Sequence, residues 1–337
     1  MPVRLVVPDD VNEVYETSPV FARLRERCEI EIYTSMPGTP EEAARRIKDA
    51  EIVVANRERT PLGAAVLDQA PNLRLIAQTG ARGAHLDVPA STARGIVIAG
   101  TAGSKNVRSA GFNSAATVEA TVGLMLAASR RIPAGDTQIR AGGWKQFVGR
   151  ELAGRKLGIV GHGRIGSRVG EICKAIGMTV YAWSPNMTQE RAEAAGIISL
   201  PLDDLVAEVD VLSIHLQLTP MSRGIISRER LAKMKPDALL VNTARGPIVD
   251  EDAMVEMLQS GRLWGAALDV YGQEPPPPDH PLFKLENVVL TPHIGWVSED
   301  GYQGFFEGIV ENVEAYLDGR PIPRMLNPEA LEHRQSG

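Results

Sequence analysis

A glycine-rich motif, Leu157–Gly166, constrains the fold of this chain more than any other feature of its sequence. It has the pattern of a buried strand that leads through Gly-x-Gly-x-x-Gly into the helical pattern Arg164–Ile176. The first glycine permits a tight turn, the second lets the backbone approach a pyrophosphate, and the third lets helix and strand pack closely. The N-terminus of the helix would add N–H groups and the positive end of its dipole. Since a second predicted strand follows in order, the motif predicts a dinucleotide site. The residues assigned to it are Gly161, His162, Gly163, Arg164, Ile165 and Gly166.

Short β-rich runs alternate with helical patterns in two separate series. Such alternation is typical of parallel sheets that are covered by helices on both faces. A chain of 337 residues exceeds what one hydrophobic core usually serves, so each series is expected to form its own domain. The predicted strands of the first series are Arg4–Val7, Ile30–Tyr33, Ile52–Ala55, Leu73–Ala77 and Ile96–Ala99. Those of the second series are Leu157–Val160, Thr179–Trp183, Val211–Ile214, Leu239–Asn242, Gly265–Asp269 and Val288–Thr291.

The end of the chain indicates how the two series are connected. After Ser298 a single helical pattern runs to about Leu317 and is followed by a proline-rich tail. A lone helix cannot form a domain, so we expect it to pack on the first domain, which leaves the second as an insertion. The predicted fold class is therefore α/β, with two doubly wound parallel-sheet domains. A long helix, Ser114–Arg131, is predicted to end before Pro133.

Composition excludes several classes of function. The formal net charge is −6, and no basic run is interleaved with aromatic residues, so neither nucleic acid nor an anionic membrane is expected as a partner. The two cysteines, Cys28 and Cys173, give no disulfide framework, which fits a reducing compartment. No window approaches the roughly 18 apolar residues of a membrane helix, and the N-terminal apolar stretch is too short for a signal peptide. A cytoplasmic protein without a metal site is expected.

Three ionisable residues, Arg245, Glu274 and His293, each follow a predicted strand of the second series. The carboxyl ends of strands in an open parallel sheet face the ligand crevice, so these side chains are candidates for one site. Hydride transfer to a keto acid requires a fixed cation, which a guanidinium provides. The carbonyl oxygen must also gain a proton, for which histidine is the usual donor, and a neighbouring carboxylate would orient the imidazole. Taken singly, each residue more often has a structural role.

The position expected to contact the adenosine ribose holds Ser184, directly after the predicted strand Thr179–Trp183. A carboxylate at this position commonly binds the ribose 2′-hydroxyl group of NAD. Because Ser184 carries no charge, a 2′-phosphate meets no repulsion there. No arginine follows immediately to bind one, however, and the nearest is Arg191. The sequence predicts a nicotinamide cofactor and leaves NAD and NADP as alternatives.

Together these motifs resemble the D-isomer-specific 2-hydroxyacid dehydrogenase family. The resemblance runs in family order from Gly80 to Pro328. The matching segments are Gly161–Gly166, Ser213–His215, Asn242–Gly246, Val249–Asp250, Ala267–Val270, Glu274–Pro275 and Thr291–Gly295.

The resemblance implies a role for each candidate residue. Arg245 would anchor the substrate, His293 would be the acid/base, and Glu274 would be its partner. The loop Gln78–Asp87 would grip the substrate carboxylate through backbone N–H groups, although an ordinary strand-to-helix turn is the alternative. The substrate-binding residues are then Arg82, Gly83 and Arg245. The cofactor-binding residues outside the glycine motif are Ser184, His215, Thr219, Thr243, Ala244, Asp269 (at the nicotinamide carboxamide), His293 and Gly295.

The family also implies an architecture and an activity. A Rossmann nucleotide-binding domain, residues 111–299, would be inserted into a flavodoxin-like substrate domain, residues 1–110 and 300–337. The expected reaction is hydride transfer between NAD or NADP and a small 2-oxo or 2-hydroxy acid, as in glyoxylate or hydroxypyruvate reductases. The helix Ser114–Arg131 and the segment Gly142–Trp144 are expected to form a homodimer contact.

Some positions depart from the family pattern, and two other functions stay open. The departures are Ser184, Gln217, Ala120 and an apparent insertion, Ala102–Ala110, that contains Lys105 and Arg108. One alternative is a dinucleotide-sensing regulator that keeps the fold and binds partners without turnover. The other is a formate-type dehydrogenase, although such relatives carry glutamine where this chain has Glu274.

Overall fold

The structure is a computed structural model, and it describes residues 2–80, 83, 85–101 and 114–334. The chain divides into two compact units. The first unit is Met1–Asn113 with Ser298–Gly337, and the second is Ser114–Val297. The boundaries expected from the sequence are after residues 110 and 299.

Strands and helices alternate along both units. The strands are β1 (Val3–Val7), β2 (Cys28–Ile32), β3 (Ile52–Ala55), β4 (Leu75–Gln78), β5 (Val97–Gly100), β6 (Lys156–Val160), β7 (Thr179–Trp183), β8 (Ile198–Ser199), β9 (Val211–Ile214), β10 (Leu239–Asn242), β11 (Gly265–Leu268) and β12 (Val288–Leu290). The helices are α1 (Pro19–Ala22), α2 (Pro40–Ile47), α3 (Ala64–Leu67), α4 (Val88–Ala93), α5 (Ala115–Ser129), α6 (Ile132–Arg140), α7 (Arg164–Ala175), α8 (Gln189–Ala194), α9 (Leu202–Glu208), α10 (Arg228–Lys233), α11 (Glu251–Gln259), α12 (Glu299–Leu317) and α13 (Ala330–Arg334). Short 3₁₀ segments lie at Arg23–Glu26, Gly246–Ile248 and Pro281–Lys284.

Each unit contains one parallel sheet. In the described part of the first unit the strand order is β2-β1-β3-β4-β5, which is the flavodoxin-like order. The order in the second unit is β12-β11-β10-β9-β6-β7-β8, a Rossmann order extended by one strand at the β12 edge. The predicted fold class is confirmed.

The sheets are covered on both faces, so successive strand residues enter different cores. In β6, Ile159 packs on one face of the second sheet and Val160 on the other, and both are fully buried. The first unit has its own core around Val53, Ile76 and Ile98. Within the described ranges, no helix combines the length and apolar character needed to cross a membrane.

Side-chain caps define where several helices begin. Thr39, Asp250 and Ser298 each accept a hydrogen bond from an N–H group in the first turn of the helix that follows. The last of these starts α12, which packs on α1 and β4 of the first unit. The Asn312 amide on α12 also donates to the carbonyl of Gly100 over 2.9 Å.

The elements differ from the sequence prediction at two places. The predicted helix Ser114–Arg131 is observed as α5, and a second helix, α6, follows it immediately. Pro133 stands in the first turn of α6, where a missing N–H group removes no intrahelical bond, so it begins a helix instead of ending one. Strand β8 has two residues, too few to show a period in the sequence.

Candidate active site

The glycine-rich turn joins β6 to α7, and its glycines differ in what they touch. Gly161 has φ +101°, and a Cβ atom there would lie 2.8 Å from the backbone of His215. A Cβ atom at Gly166 would lie 2.4 Å from the carbonyl oxygen of Gly161. A Cβ atom at Gly163, by contrast, would have no neighbour within 4 Å. Gly163 is the N-cap residue of α7, and no side chain caps the helix there. Backbone N–H groups of the first turn therefore border open space, which fits the pyrophosphate of a dinucleotide.

Two arginines lie near Ser184, the residue predicted to contact the adenosine ribose. Ser184 accepts a hydrogen bond of 2.5 Å from the backbone N–H of His162. Beside this contact is a cavity of about 500 Å³, which is lined by His162, Arg164 and Arg191 among others. Burial lowers the pKa of His162, and the charges of Arg191 and Lys174 lower it further. The cavity is therefore suited to an anion.

Other residues predicted to bind the cofactor lie at the carboxyl ends of the central strands. His215 follows β9, and its Nε2 atom lies 2.9 Å from Ser213 Oγ. Desolvation lowers the pKa of His215 to about 3, so the ring is neutral near neutral pH. After β10, Thr243 Oγ1 lies 2.7 Å from Thr121 Oγ1. The backbone N–H of Ala244 donates a hydrogen bond to the side-chain oxygen of Asn242. The remaining two are Ile165, in the first turn of α7, and Thr219, in the turn after β9.

A short contact joins the predicted acid/base to the predicted carboxylate. His293 Nδ1 lies 2.6 Å from Glu274 Oε2, and the other carboxylate oxygen accepts the backbone N–H of Tyr271 over 3.0 Å. The side chains of His293 and Glu274 are 24% and 33% exposed. Because the carboxylate can only accept, Nδ1 is the donor, and Nε2 is the nitrogen available for proton exchange with a ligand.

Asp269 holds the turn that carries His293. This residue is 1% exposed, and its Oδ1 atom accepts from Thr291 Oγ1 over 2.5 Å and from the N–H of Ile294 over 2.8 Å. Its Oδ2 atom accepts the N–H of Gly295 over 2.8 Å. The turn needs this support because His293 has φ +54°, a left-handed conformation that is unfavourable for most non-glycine residues. The carboxamide contact that the family resemblance implies for Asp269 stays a prediction.

Arg245 is placed by backbone packing between neighbouring loops. It follows β10, and its carbonyl oxygen accepts a hydrogen bond of 3.0 Å from the Asn242 side chain. A Cβ atom at Gly246 would lie 2.0 Å from the carbonyl carbon and oxygen of Tyr271, so only glycine permits this approach. Strands β10, β11 and β12 are adjacent and parallel. The structure thus brings Arg245, Glu274 and His293 to one edge of the second sheet.

Two residues with notable contacts, one in each unit, were not predicted from the sequence. Tyr271 is buried, and its phenol donates to the carbonyl of Thr291 over 2.9 Å, two residues before the predicted acid/base. Burial raises the pKa of Tyr271 to about 12, so the phenol remains a donor. Arg57, in the first unit, has φ +50°, and its Nη1 atom fills the space where a Cβ of Gly80 would lie. Their only sequence signal was a position just after a strand.

The predicted substrate loop follows β4 in the first unit. Its start is held to Thr101, because Gly80 donates to Thr101 Oγ1 over 2.7 Å and its carbonyl accepts the N–H of Thr101 over 2.8 Å. Gly83 is described and packs against His85. Arg82 lies outside the described residues, as does the segment 102–110 with Lys105 and Arg108.

Comparison with known proteins agrees with this geometry. The family model described as D-isomer specific 2-hydroxyacid dehydrogenase, NAD binding domain, matches residues 122–295. The glyoxylate reductase of Korarchaeum cryptofilum is 35% identical over 324 residues, which cover 94% of this chain and 95% of that protein. The crystal structure of a phosphoglycerate oxidoreductase from Vibrio cholerae o395 has a TM-score of 0.87 and 33% identity, and the match covers 95% of this chain and 100% of that chain.

A further relative is considerably longer. The D-3-phosphoglycerate dehydrogenase of Archaeoglobus fulgidus is 38% identical over 306 residues. The match covers 90% of this chain but 56% of that protein. The chain therefore spans little more than half the length of this relative.

Proposed function

The chain belongs to the D-isomer specific 2-hydroxyacid dehydrogenase family, and on that premise we propose that it reduces small 2-oxo carboxylic acids to D-2-hydroxy acids and catalyses the reverse oxidation. The observation that carries the proposal is the 2.6 Å contact between His293 Nδ1 and Glu274 Oε2, on the sheet edge that also carries Arg245. An imidazole that is oriented at one nitrogen and free at the other can exchange a proton with a substrate oxygen.

The side chains have complementary tasks in this proposal. A bound nicotinamide ring supplies or accepts the hydride. Arg245, through its planar guanidinium, pairs with the substrate carboxylate and stabilises negative charge on the reacting oxygen. His293 gives its Nε2 proton to that oxygen during reduction and takes it back during oxidation. Glu274 stabilises the imidazolium from the Nδ1 side.

Each unit carries its own proposed binding groups. In the second unit, the first turn of α7 from Gly163 onward holds the pyrophosphate, and Thr243, Ala244 and Asp269 line the nicotinamide end. In the first unit, the backbone N–H groups of Arg82 and Gly83 grip the substrate carboxylate. Backbone donors suit this task because they bind an anion without adding a titratable charge.

We further propose that the preferred cofactor is NADP(H). The support is the cavity of about 500 Å³ beside the predicted ribose position, with Arg164 and Arg191 among its lining residues. Ser184 in place of a carboxylate removes the repulsion that would exclude a 2′-phosphate. Its hydroxyl proton also remains available, since Ser184 acts as the acceptor towards His162.

The cofactor proposal is tested with Arg191→Ser and a matched control, Arg262→Ser, which removes an equal charge from an exposed position outside the cavity. We expect the ratio of kcat/KM for NADPH to that for NADH to fall about tenfold or more in Arg191→Ser, because a charge-assisted hydrogen bond is lost. The control should keep the wild-type ratio. A wild-type enzyme that prefers NADH would contradict the proposal directly.

The reaction itself is tested by a reductase screen. Glyoxylate, hydroxypyruvate, pyruvate and larger 2-oxo acids are assayed with NADPH and NADH, and the loss of reduced-nicotinamide absorbance is followed. Chiral chromatography of the product checks its D configuration. Turnover of at least one acid is expected; tight cofactor binding with no turnover of any acid would favour the dinucleotide-sensing regulator.

We also propose that the protein forms a homodimer. Exposed apolar side chains concentrate in and after α5 and α6, where Trp144 is 81% exposed and Val148 is 94% exposed. Contiguous exposed apolar groups of this size commonly mark an interface. Analytical ultracentrifugation of wild type and of Trp144→Glu should show a dimer converted to a monomer. A monomeric wild type would overturn this proposal and leave the catalytic one standing.

A further inference from the structure

A buried histidine, His85, stands beside the predicted substrate loop in the first unit. It is 8% exposed, and its Nε2 atom lies 3.0 Å from Oε1 of Gln78. Gln78 ends β4, is 2% exposed, and donates through its Nε2 atom to the carbonyl of Thr79 over 2.9 Å. A chain of polar contacts thus leads from the end of the strand to the imidazole.

These contacts determine which nitrogen of His85 carries the proton. The Gln78 amide nitrogen is the donor to Thr79, so the amide oxygen faces the imidazole and can only accept. The Nε2 atom of His85 must then be the donor, which leaves Nδ1 with a bare lone pair in the neutral ring. Among the described residues, this Nδ1 atom is buried and has no hydrogen-bond partner.

The bare nitrogen faces the backbone that we propose holds the substrate. A Cβ atom built on Gly83 would lie 2.4 Å from His85 Nδ1 and 2.5 Å from its Cε1 atom. The imidazole therefore occupies the space of a side chain at position 83. The far end of the loop is fixed as well, since the carbonyl of His85 accepts the N–H of Leu62 over 2.8 Å.

The surroundings keep this imidazole uncharged. The pKa of His85 is lowered to about 4, mainly by burial; the charge of Glu58 opposes this change and the charge of Arg57 adds to it. The ring thus holds one proton, on Nε2, throughout the range in which the proposed reaction would run. Its orientation and charge are both constant.

We propose that His85, locked by Gln78, is the positioning residue of the substrate-carboxylate site, and that its ring sets the backbone path at Gly83. This inference rests on the proposed function, because it assigns a purpose to the loop that grips the substrate. His85 acts through Gly83 and does not itself touch the substrate.

The first experiment compares His85→Gln with His85→Leu. The amide of a glutamine at position 85 reaches about as far as Nε2 of the histidine and can still donate to the Gln78 oxygen. A leucine at position 85 leaves this buried oxygen without a hydrogen-bond donor. We expect KM for the best 2-oxo acid to rise about tenfold in His85→Leu and to stay within about threefold of wild type in His85→Gln. In both variants kcat and the Kd of NADPH should stay near wild type, because the chemistry and the cofactor site are untouched. His333→Leu, on exposed α13, is the matched control.

The second experiment asks whether His85 and Gly83 act on each other. Gly83→Ala should raise KM strongly in the wild type, because the new Cβ collides with the imidazole. In a His85→Ala background the ring is absent, so the same substitution should raise KM about tenfold less. If Gly83→Ala raised KM by the same factor in both backgrounds, the two residues would act independently and the proposal would be overturned.

The outcomes separate this inference from the proposed function. If the wild type turns over no 2-oxo acid, the proposed function fails. If the wild type is active but His85→Leu has the wild-type KM, the positioning role is wrong. It is also wrong if His85→Leu and His85→Gln change kcat and KM to the same extent. Should His85→Leu fail to fold, Gln78→Leu removes the same hydrogen bond from its other end and must raise KM in the same way.

Discussion

His293 and His85 are two imidazoles in loops that follow strands, one in each unit, and they differ in the group that accepts their hydrogen bond. His293 is about a quarter exposed and donates to a carboxylate at 2.6 Å. His85 is buried and donates to a neutral amide at 3.0 Å. A carboxylate stabilises the imidazolium, whereas an amide in a desolvated site does not. The same side chain is therefore suited to carry a proton in one unit and to remain a fixed neutral support in the other.

The difference teaches that the partner of a histidine is a better guide to its role than its position. Both residues lie in loops that follow a strand of a parallel sheet, His293 three residues after β12 and His85 seven residues after β4. Ligand sites gather at these ends of the strands in such folds. Their hydrogen-bond acceptors separate them. The substitutions below remove an imidazole or change its hydrogen-bond acceptor, and they are given in order of decreasing expected effect.

Removing the exposed imidazole should have the largest effect. His293→Asn keeps a residue that tolerates the left-handed backbone and eliminates the proton donor. We expect kcat to fall by about 10²–10⁴-fold, the usual contribution of a general acid, with the Kd of NADPH close to wild type. Stopped-flow turnover and fluorescence titration of NADPH measure the two quantities. Equal losses in both would show that the residue supports the cofactor site and not the proton transfer.

Replacing the carboxylate partner should have the next largest effect. Glu274→Gln makes the first imidazole resemble the second, with an amide as its partner. We expect kcat for reduction to fall about tenfold to a hundredfold, because the imidazolium loses the carboxylate that stabilises it. Steady-state turnover of wild type and variant with the same 2-oxo acid measures the change. A variant whose kcat equals that of the wild type would remove Glu274 from the mechanism.

The converse exchange should produce a smaller change. Gln78→Glu gives His85 a carboxylate and should let the buried imidazole take up a proton near neutral pH. We expect KM for the 2-oxo acid to become dependent on pH between about 5 and 8, by about threefold to tenfold, because a charge now appears and disappears beside Gly83. Steady-state KM measured across this range, with wild type in parallel, tests the idea. A variant whose KM is as flat as that of the wild type would count against the neutral role of His85.

Acid stability should show the smallest effect. The pKa of His85 is lowered from 6.5 to about 4 in the folded chain. Above pH 6.5 the group is neutral in both states, and its contribution to stability is complete. Between 6.5 and about 4 only the unfolded chain binds the proton, so the contribution is lost as the pH falls. At pH 5 the loss should be about 1–2 kcal/mol in the free energy of unfolding.

Urea unfolding at pH 7 and pH 5 measures this difference. The variant His85→Gln lacks the titrating group and should lose correspondingly less stability than wild type over the same interval. An identical loss in both proteins would mean that burial does not keep this imidazole neutral.

Much of the architecture and of the second-unit site is predictable from the sequence, for physical reasons. Buried strands of a parallel sheet read as short apolar runs, and the turn after β6 needs glycine at positions such as Gly161. Arg245, Glu274 and His293 were predicted because each is an ionisable residue within a few positions of the end of such a run, and the structure places all three after neighbouring strands. The helix α6 was not found, because Pro133 in a first turn has the same sequence appearance as a helix breaker.

What escaped prediction depends on contacts between loops. Tyr271 donates its backbone N–H to Glu274 and its phenol to the carbonyl of Thr291. Each of these bonds has a main-chain group at one end, which leaves no pattern in the sequence. The clamp at Asp269 uses the N–H groups of Ile294 and Gly295, which every sequence contains. The pairing of His85 with Gln78 likewise depends on the path of the loop between them, which local propensity does not determine.

The close approach at Gly246 has a consequence for how this protein could change its substrate. The backbone after Arg245 lies directly against the carbonyl of Tyr271, three residues before Glu274, with no side chain between them. The spacing between the proposed substrate anchor, Arg245, and the proposed proton relay is thus set by main-chain atoms, which side-chain substitutions elsewhere leave unaltered. Mutations that retune selectivity can then accumulate in the loops of the first unit while the reactive machinery keeps its dimensions. Directed evolution of this enzyme should accordingly leave residue 246 alone and randomise the segment after β4.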